Sequence, residues 1–193
     1  MESKRNRVRA LVAGDRIAVV APSGPVDSEA LEAGVAVLEG AGFVVQGPLE
    51  RPSWRIFSGT DEERLGELQA ALDAPDIGAV WLARGGYGLN RILPRLRLSD
   101  RVAREKLVIG FSDATALLTA VEAAGGRAIH GPMVAHDLVR EAASGGLAHL
   151  LDLTGGGDWS VPIPTVFRSG DAFGPVRGGC LTVLASLLGT PAA

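Results

Sequence analysis

Short runs of apolar residues alternate with amphipathic segments over most of the chain. Four runs have the length of strands, at 16–21, 43–45, 77–83 and 107–109, and residues 127–133 are interpreted as a further brief strand that leads into a loop. Between them, apolar residues recur three or four positions apart, which is the spacing of one helix face. Thr60 and Glu63 form a capping box that predicts the start of one such helix. The alternation predicts an α/β fold with an open, mostly parallel sheet flanked by helices.

The composition changes after residue 145, where glycine and proline become frequent. We expect a flexible basic tail at 1–13 and an N-terminal α/β domain at 14–150. Residues 151–177 are predicted to be a linker rich in glycine and proline. An apolar helix at 178–193 needs a surface to cover its leucines. It either packs back on the first domain or starts a second, truncated domain, and we interpret it as the latter.

Composition excludes several classes of function. The 193 residues are 47% hydrophobic and 21% charged, as in globular proteins, and the net charge of −3 offers no surface for nucleic acid. No run of about 18 apolar residues predicts a membrane span, and no apolar N-terminal segment predicts a secretory signal. The single cysteine, Cys180, fits a reducing compartment and reads as a small buried residue. We expect a cytoplasmic protein that binds neither nucleic acid nor membranes.

Four loops follow the predicted strands, at 22–24, 84–88, 110–113 and 130–132. The carboxyl ends of parallel strands lie at one edge of a sheet, and α/β folds place their ligand sites there. The convergence of these loops predicts a functional site at that edge.

Ser112 is the candidate nucleophile in the third of these loops. Gly110 to Ala114 differs from a G-x-S-x-G elbow only by alanine in place of the last glycine. A serine on such a strand-to-helix turn lies close to free N–H groups of the helix start. Ser112 and Asp113 are also ordinary helix N-caps, and the local sequence alone favours that interpretation.

The loop at 84–88 reads Arg-Gly-Gly-Tyr-Gly, which matches neither the P-loop nor the dinucleotide-binding pattern. Its glycines allow backbone N–H groups to approach a ligand closely, as an oxyanion hole requires. The alternative is a tight turn with Tyr87 packed on the surface.

A nucleophilic serine needs a base, and the chain has three histidines. His130 lies near the predicted edge, but its Gly-Pro neighbours equally indicate a structural turn. His136 and His149 lie in polar, helical context. No group of residues has the spacing of metal ligands. The residues alone therefore indicate a candidate nucleophile without an identified base.

Six segments in order carry a resemblance, at 14–25, 59–64, 83–88, 109–117, 129–133 and 178–191. On these segments the chain resembles the LD-carboxypeptidase family of serine peptidases, which includes murein tetrapeptide carboxypeptidases and microcin C immunity proteins. The resemblance implies that Ser112 is the nucleophile of a Ser-Glu-His triad, with the backbone N–H groups of Asp113 and Gly86 as the oxyanion hole. It also implies that no metal or organic cofactor is needed. The implied substrate-binding residues are Arg84, Gly85, Tyr87 and Ser23.

The resemblance further implies the reaction. Family members cleave the bond between the diamino acid and the terminal D-alanine of murein peptides during cell-wall recycling, through an acyl-enzyme. The implied partners are a murein peptide and, at full length, a second copy of the chain.

In this family the triad glutamate and histidine lie in a C-terminal domain, beyond a Gly-Thr-Pro that corresponds to 189–191. We therefore expect this chain to lack both residues and to be inactive alone. Two alternatives stay open: an immunity peptidase that hydrolyses a peptidyl-nucleotide, and a non-catalytic binding domain of the same fold.

Overall fold

A computed structural model describes residues 10–48, 52–99, 106–157, 160, 165–171, 173–174 and 176–190. Five strands form one sheet in the order β2-β1-β3-β4-β5, and every neighbouring pair is parallel. This confirms the predicted α/β class. The strands are β1 Arg16–Val20, β2 Val44–Gln46, β3 Ile77–Leu82, β4 Leu107–Gly110 and β5 Arg127–His130.

In the described part of the chain, seven α-helices connect and flank the strands. Asp27 caps the first helix through its side chain, and Thr60 and Glu63 form the predicted capping box at the second. The longest helices have 13 residues, and no described helix combines the length and hydrophobicity that a membrane crossing needs. The helices are α1 Ser28–Gly40, α2 Asp61–Asp73, α3 Leu89–Ile92, α4 Thr115–Ala123, α5 Val134–Ser144, α6 Gly146–Thr154 and α7 Leu181–Leu187.

The helices cover both faces of the sheet. Helices α1, α5 and α6 pack on one face, and α2, α3, α4 and α7 pack on the other. Neighbouring strand residues such as Trp81 and Leu82 enter opposite cores, and both are fully buried. Burial on both faces explains why the central strands β1, β3 and β4 are almost wholly apolar, whereas the edge strands β2 and β5 are partly exposed and include polar residues.

The strand order positions the site. The chain runs from β1 outward to β2 and then returns to β3, β4 and β5 on the other side of β1. The loops after β1 and β3 therefore lead to helices on opposite faces of the sheet, at the point where the winding direction reverses. Doubly wound sheets of this order bind ligands in the crevice at that point.

Helix α7 packs back on the α/β domain. Leu187 is buried in the same core as α4, and the Cys180 backbone N–H donates to Thr115 Oγ1 at 3.0 Å. Leu181 and Leu188 remain exposed. Cys180 is half-buried, so the interpretation of it as a buried residue is wrong. It lies at the N-cap position of this helix.

The division of the chain into domains stays a prediction. The basic tail up to residue 9 lies outside the described residues. So do three prolines of the expected linker, Pro162, Pro164 and Pro175, and the last three residues.

Candidate active site

Ser112 lies on a sharp turn between β4 and α4. Phe111 is extended, Ser112 has φ = 60°, and a 3-10 turn at Ser112–Ala114 then leads into the helix. A left-handed backbone costs a non-glycine residue about 1–2 kcal/mol, so the surrounding contacts must impose it. A Cβ atom on Gly110 would lie 3.0 Å from the Cβ of Ala114 and 3.2 Å from that of Leu82. Glycine at position 110 and alanine at position 114 therefore allow the turn to close against the sheet.

Neither side chain at the turn caps a helix. No side-chain hydrogen bond caps the 3-10 turn or α4, so the interpretation of Ser112 or Asp113 as an N-cap is wrong. The Asp113 side chain instead points into the protein and is 3% exposed. Its Oδ2 accepts hydrogen bonds from Ser23 Oγ at 2.7 Å and from the Leu89 backbone N–H at 3.0 Å. The helix start at Ser112 is formed by the backbone and by packing.

The glycine-rich loop after β3 lies directly against the serine. A Cβ atom on Gly85 would lie 3.1 Å from the Cβ of Ser112 and 3.3 Å from its Oγ. Gly86 and Gly88 have φ values of 114° and 140°, which glycine adopts at little cost. The Gly24 N–H donates to the Gly85 carbonyl at 3.1 Å, so the loops after β1 and β3 are also in contact. Three of the four predicted loops therefore meet around Ser112.

The remaining residues that the sequence indicated lie at different depths. Arg84 is exposed and donates from Nη1 to the Pro25 carbonyl at 2.6 Å. Tyr87 is half exposed, with its ring centroid 6.1 Å from that of Phe57. Ser23 is completely buried, and its hydroxyl donates to Asp113. Arg84 and Tyr87 are therefore open to a ligand, whereas Ser23 lies beneath the loops.

Arg64 is a part of this region that the sequence analysis missed. Its guanidinium is fully buried, donates to the Pro22 carbonyl and to Asp61, and lies 4.7 Å from the centroid of the Phe57 ring. A Cβ atom on Gly88 would lie 2.6 Å from its Nη1. Arg64 therefore supports the loops after β1 and β3 from below. Its burial could have been inferred from its position four residues before Leu68, which places it on the apolar face of α2.

Asp61 completes this ionic cluster at the start of α2. Arg91 donates to both carboxylate oxygens, from Nε at 3.1 Å and from Nη2 at 2.7 Å. The hydrogen bonds from Arg91 are the main cause that holds the pKa of Asp61 below its ordinary value of 3.8, and the hydrogen bond from Arg64 adds to this effect. The carboxylate is thus the shared counter-charge of one buried and one exposed arginine.

None of the three histidines is hydrogen-bonded to Ser112 in the part of the chain that the structure describes. His130 is exposed and packs edge-on against Phe111, with ring centroids 5.9 Å apart. His136 and His149 are exposed on α5 and α6. Among the residues that the structure describes, none hydrogen-bonds to the Ser112 hydroxyl, and no cluster of histidine, cysteine and carboxylate side chains could hold a metal ion.

A cleft of about 760 Å³ opens on the β1–β2 side of the molecule, and Ala21 and Pro25, which flank the site loop after β1, form part of its wall. Residues of α1 and of the segments before and after residues 49–51 line it, among them Leu31, Pro48 and Ser53. Ser112 is not part of its wall. The site at Ser112 is instead an open surface in the crevice between the loops.

The sequence profile of the LD-carboxypeptidase N-terminal domain matches residues 17–131, more than half of the chain. The chain belongs to the LD-carboxypeptidase family. The match runs from β1 through β5, so it includes the Ser112 turn and the glycine-rich loop.

Two relatives illustrate how the LD-carboxypeptidase resemblance extends along the chain. A Streptomyces coelicolor protein named as a carboxypeptidase is 41% identical over an alignment of 198 positions, gaps included, which covers 94% of this chain and 61% of that protein. The murein tetrapeptide carboxypeptidase of Pseudomonas aeruginosa is 35% identical, over 91% of this chain and 61% of that protein. The chain therefore spans about three fifths of the length of the curated relatives that it matches.

Solved structures agree with this assignment. The muramoyltetrapeptide carboxypeptidase of Oxalobacter formigenes is 30% identical, with a TM-score of 0.75 over 92% of this chain and 61% of that one. The microcin C7 self-immunity protein MccF has a TM-score of 0.76 over 96% of this chain and 66% of that one. At 23% identity, the likeness to MccF concerns the fold alone.

Proposed function

We propose that this chain carries the nucleophile of a serine carboxypeptidase that removes the terminal D-alanine from murein tetrapeptides in cell-wall recycling. The observation that carries the proposal is the left-handed backbone of Ser112, held against the glycine-rich loop at Gly85. Strain of this kind persists only where neighbouring structure imposes it, and nucleophile elbows are one such place. Relatives named murein tetrapeptide carboxypeptidase support the substrate class.

The mechanism is acyl transfer. Ser112 Oγ attacks the carbonyl carbon of the bond that precedes D-alanine, and its proton passes to the triad base. The backbone N–H groups of Asp113 and Gly86 stabilise the oxyanion of the tetrahedral intermediate. The leaving amine takes the proton from the base, which releases D-alanine and leaves an ester on Ser112. Water then hydrolyses the ester by the same steps in reverse order.

The base and the acid that orients it come from a C-terminal domain, in this proposal. That placement is supported by the exposed histidines of this chain, none of which bonds to Ser112 in the part described. Arg84 and Tyr87 contact the substrate at the rim of the site, and Gly85 allows its close approach. Ser23 acts from beneath, through Asp113. We place the enzyme in the cytoplasm as a homodimer at full length.

The test uses this chain joined to the C-terminal domain of the Streptomyces coelicolor relative, called the extended protein below. We expect it to release D-alanine from a diaminopimelate tetrapeptide, and its Ser112→Ala variant to release none. A fluorophosphonate should label the extended protein and not that variant. A lack of Ser112-dependent labelling would support a non-catalytic domain instead.

Two further measurements separate the remaining alternatives. The 193-residue chain alone should be inactive, and robust Ser112-dependent turnover by it would contradict a base from outside the chain. A peptidyl-nucleotide serves as the competing substrate. Preference of the extended protein for it over the tetrapeptide would favour an immunity peptidase.

A further inference from the structure

We propose that the Asp113 side chain is a positioning residue that sets the two halves of the oxyanion hole relative to each other. This role is separate from that of its backbone N–H, and it rests on the proposed function of Ser112. The carboxylate acts through the loops that it joins and does not touch the substrate.

The carboxylate joins three loops that come from three different strands. Asp113 itself follows β4, its Oδ2 accepts from Ser23 in the loop after β1, and the same oxygen accepts from Leu89 after β3. All of these contacts are shielded from water, since Asp113 is 3% exposed and Ser23 and Leu89 are 0% exposed. Hydrogen bonds to a charged group in such surroundings are stronger than neutral ones.

The glycine-rich loop is consequently held at both ends. At its start, the Gly85 carbonyl accepts from Gly24 at 3.1 Å. At its end, the Leu89 N–H donates to Asp113 at 3.0 Å. The Gly86 N–H belongs to the same planar peptide unit as the Gly85 carbonyl, so the bond from Gly24 orients it directly. Asp113 acts on that unit from both sides, through Ser23, which precedes Gly24, and through Leu89.

Asp113 thus affects the positions of both proposed oxyanion donors. The Asp113 backbone N–H is one donor, and its side chain fixes the loop that carries the other. Stability alone does not require a carboxylate here, because buried polar groups replaced together by apolar groups of similar shape are often nearly neutral for stability. Preorganised donors, by contrast, lose rate steeply when they are misplaced.

The first experiment compares Asp113→Ala, Asp113→Asn and wild type in the extended protein. We expect Asp113→Ala to lower kcat about 10- to 100-fold with KM changed less than about twofold, because the reacting groups and not the substrate are misplaced. Asp113→Asn keeps an acceptor oxygen and should fall between the other two. Asp15→Ala is the matched control, since Asp15 accepts from the Val12 N–H at 2.9 Å at the opposite edge of the sheet.

Active-site titration with a fluorophosphonate separates positioning from folding. If Asp113 only stabilised the fold, the labelled fraction would drop and kcat per labelled site would stay the same. We expect the labelled fraction to be unchanged and kcat per site to fall. An unchanged kcat per site in Asp113→Ala would overturn the proposal.

The second experiment uses the 193-residue chain, so it does not depend on catalysis. Gly24 donates to Gly85 and not to Asp113, which makes its amide a remote reporter of the joined loops. We expect its hydrogen exchange to be at least about tenfold faster in Asp113→Ala, with the Ala83 amide in the neighbouring β1–β3 contact unchanged. An unaffected Gly24 amide would also overturn the proposal. Failure of the proposed function would appear separately, as an extended protein that releases no D-alanine.

Discussion

Ser112 and Arg55 share a positive φ in very different surroundings. Their φ values are 60° and 56°, in the left-handed region that glycine favours. Arg55 lies in a two-residue hairpin whose flanking residues, Trp54 and Phe57, pair through two backbone hydrogen bonds of 3.0 Å each. Such hairpins require a positive φ at a turn position. Ser112 lies at a strand-to-helix junction that demands no such value.

The difference indicates when a strained residue carries function. At Arg55 the turn accounts for the positive φ. The side chain is exposed and lies over the Trp54 ring. At Ser112 the conformation is imposed by β3, the glycine-rich loop and α4, and its result is a hydroxyl presented at the crevice. A similar φ therefore has different consequences at the two positions, and substitutions there can separate them.

The largest expected effect is at Ser112 itself. Ser112→Gly and Ser112→Ala should both lower activity of the extended protein by about 10⁴-fold or more, since both remove the nucleophile. Ser112→Gly should nevertheless be the more stable of the two by about 1 kcal/mol, because glycine adopts the left-handed backbone without strain. Urea unfolding of the two 193-residue chains measures this difference. Equal stability would mean that the turn at Ser112 is not strained.

The next effect comes from filling the space beside the nucleophile. Gly85→Ala places a methyl group 3.3 Å from Ser112 Oγ, where the scissile carbonyl has to approach. We expect kcat/KM to fall about 100-fold, with a small change in stability. Gly66→Ala is the control, because no atom lies within 4 Å of its added methyl group. In the helix it should increase stability by about 1 kcal/mol and leave activity unchanged.

Much of this architecture could be predicted from the sequence, because the signals are local. The central strands β1, β3 and β4 are apolar runs, and the Thr60 capping box was visible as a spacing of three residues. The strand-to-helix junction at Ser112 was visible as a change of hydrophobic period. The convergence of loops on one edge then follows from parallel pairing alone.

The contacts between distant segments could not be predicted in this way. Asp113 has the sequence context of a helix cap, and only the fold brings it within reach of Ser23, 90 positions away. The burial of Arg64 likewise depends on loops that follow two separate strands. Hydrogen bonds of this kind leave no periodic signal, so sequence patterns indicated Ser112 as a candidate nucleophile and missed the contacts that surround it.

A smaller effect is expected at Asp61, which pairs with Arg64. The Arg64 guanidinium in turn contacts Phe57 of the hairpin and the Pro22 carbonyl beside the site. Asp61→Asn should destabilise the protein by about 2 kcal/mol at pH 7, because buried Arg64 loses its counter-charge. The folded-state pKa of Asp61 is lowered, so its contribution is present above about pH 4 and is lost as the pH falls through the folded-state value. Urea unfolding of wild type and variant at pH 7 and pH 3 should show the gap narrowing at the lower pH. A gap that stays constant would exclude the charge as its cause.

The smallest expected effect is at Arg55, and it completes the comparison with Ser112. Arg55→Gly and Arg55→Ala both remove the guanidinium that lies 4.8 Å from the centroid of the Trp54 ring, a contact worth about 0.5–1 kcal/mol at an exposed site. Because only alanine keeps the strain, Arg55→Gly should be the more stable by about 1 kcal/mol, as at Ser112. Both variants should retain the D-alanine release of the unmodified extended protein. If either lost activity, the hairpin would belong to the site, and the turn would no longer suffice to explain the backbone of Arg55.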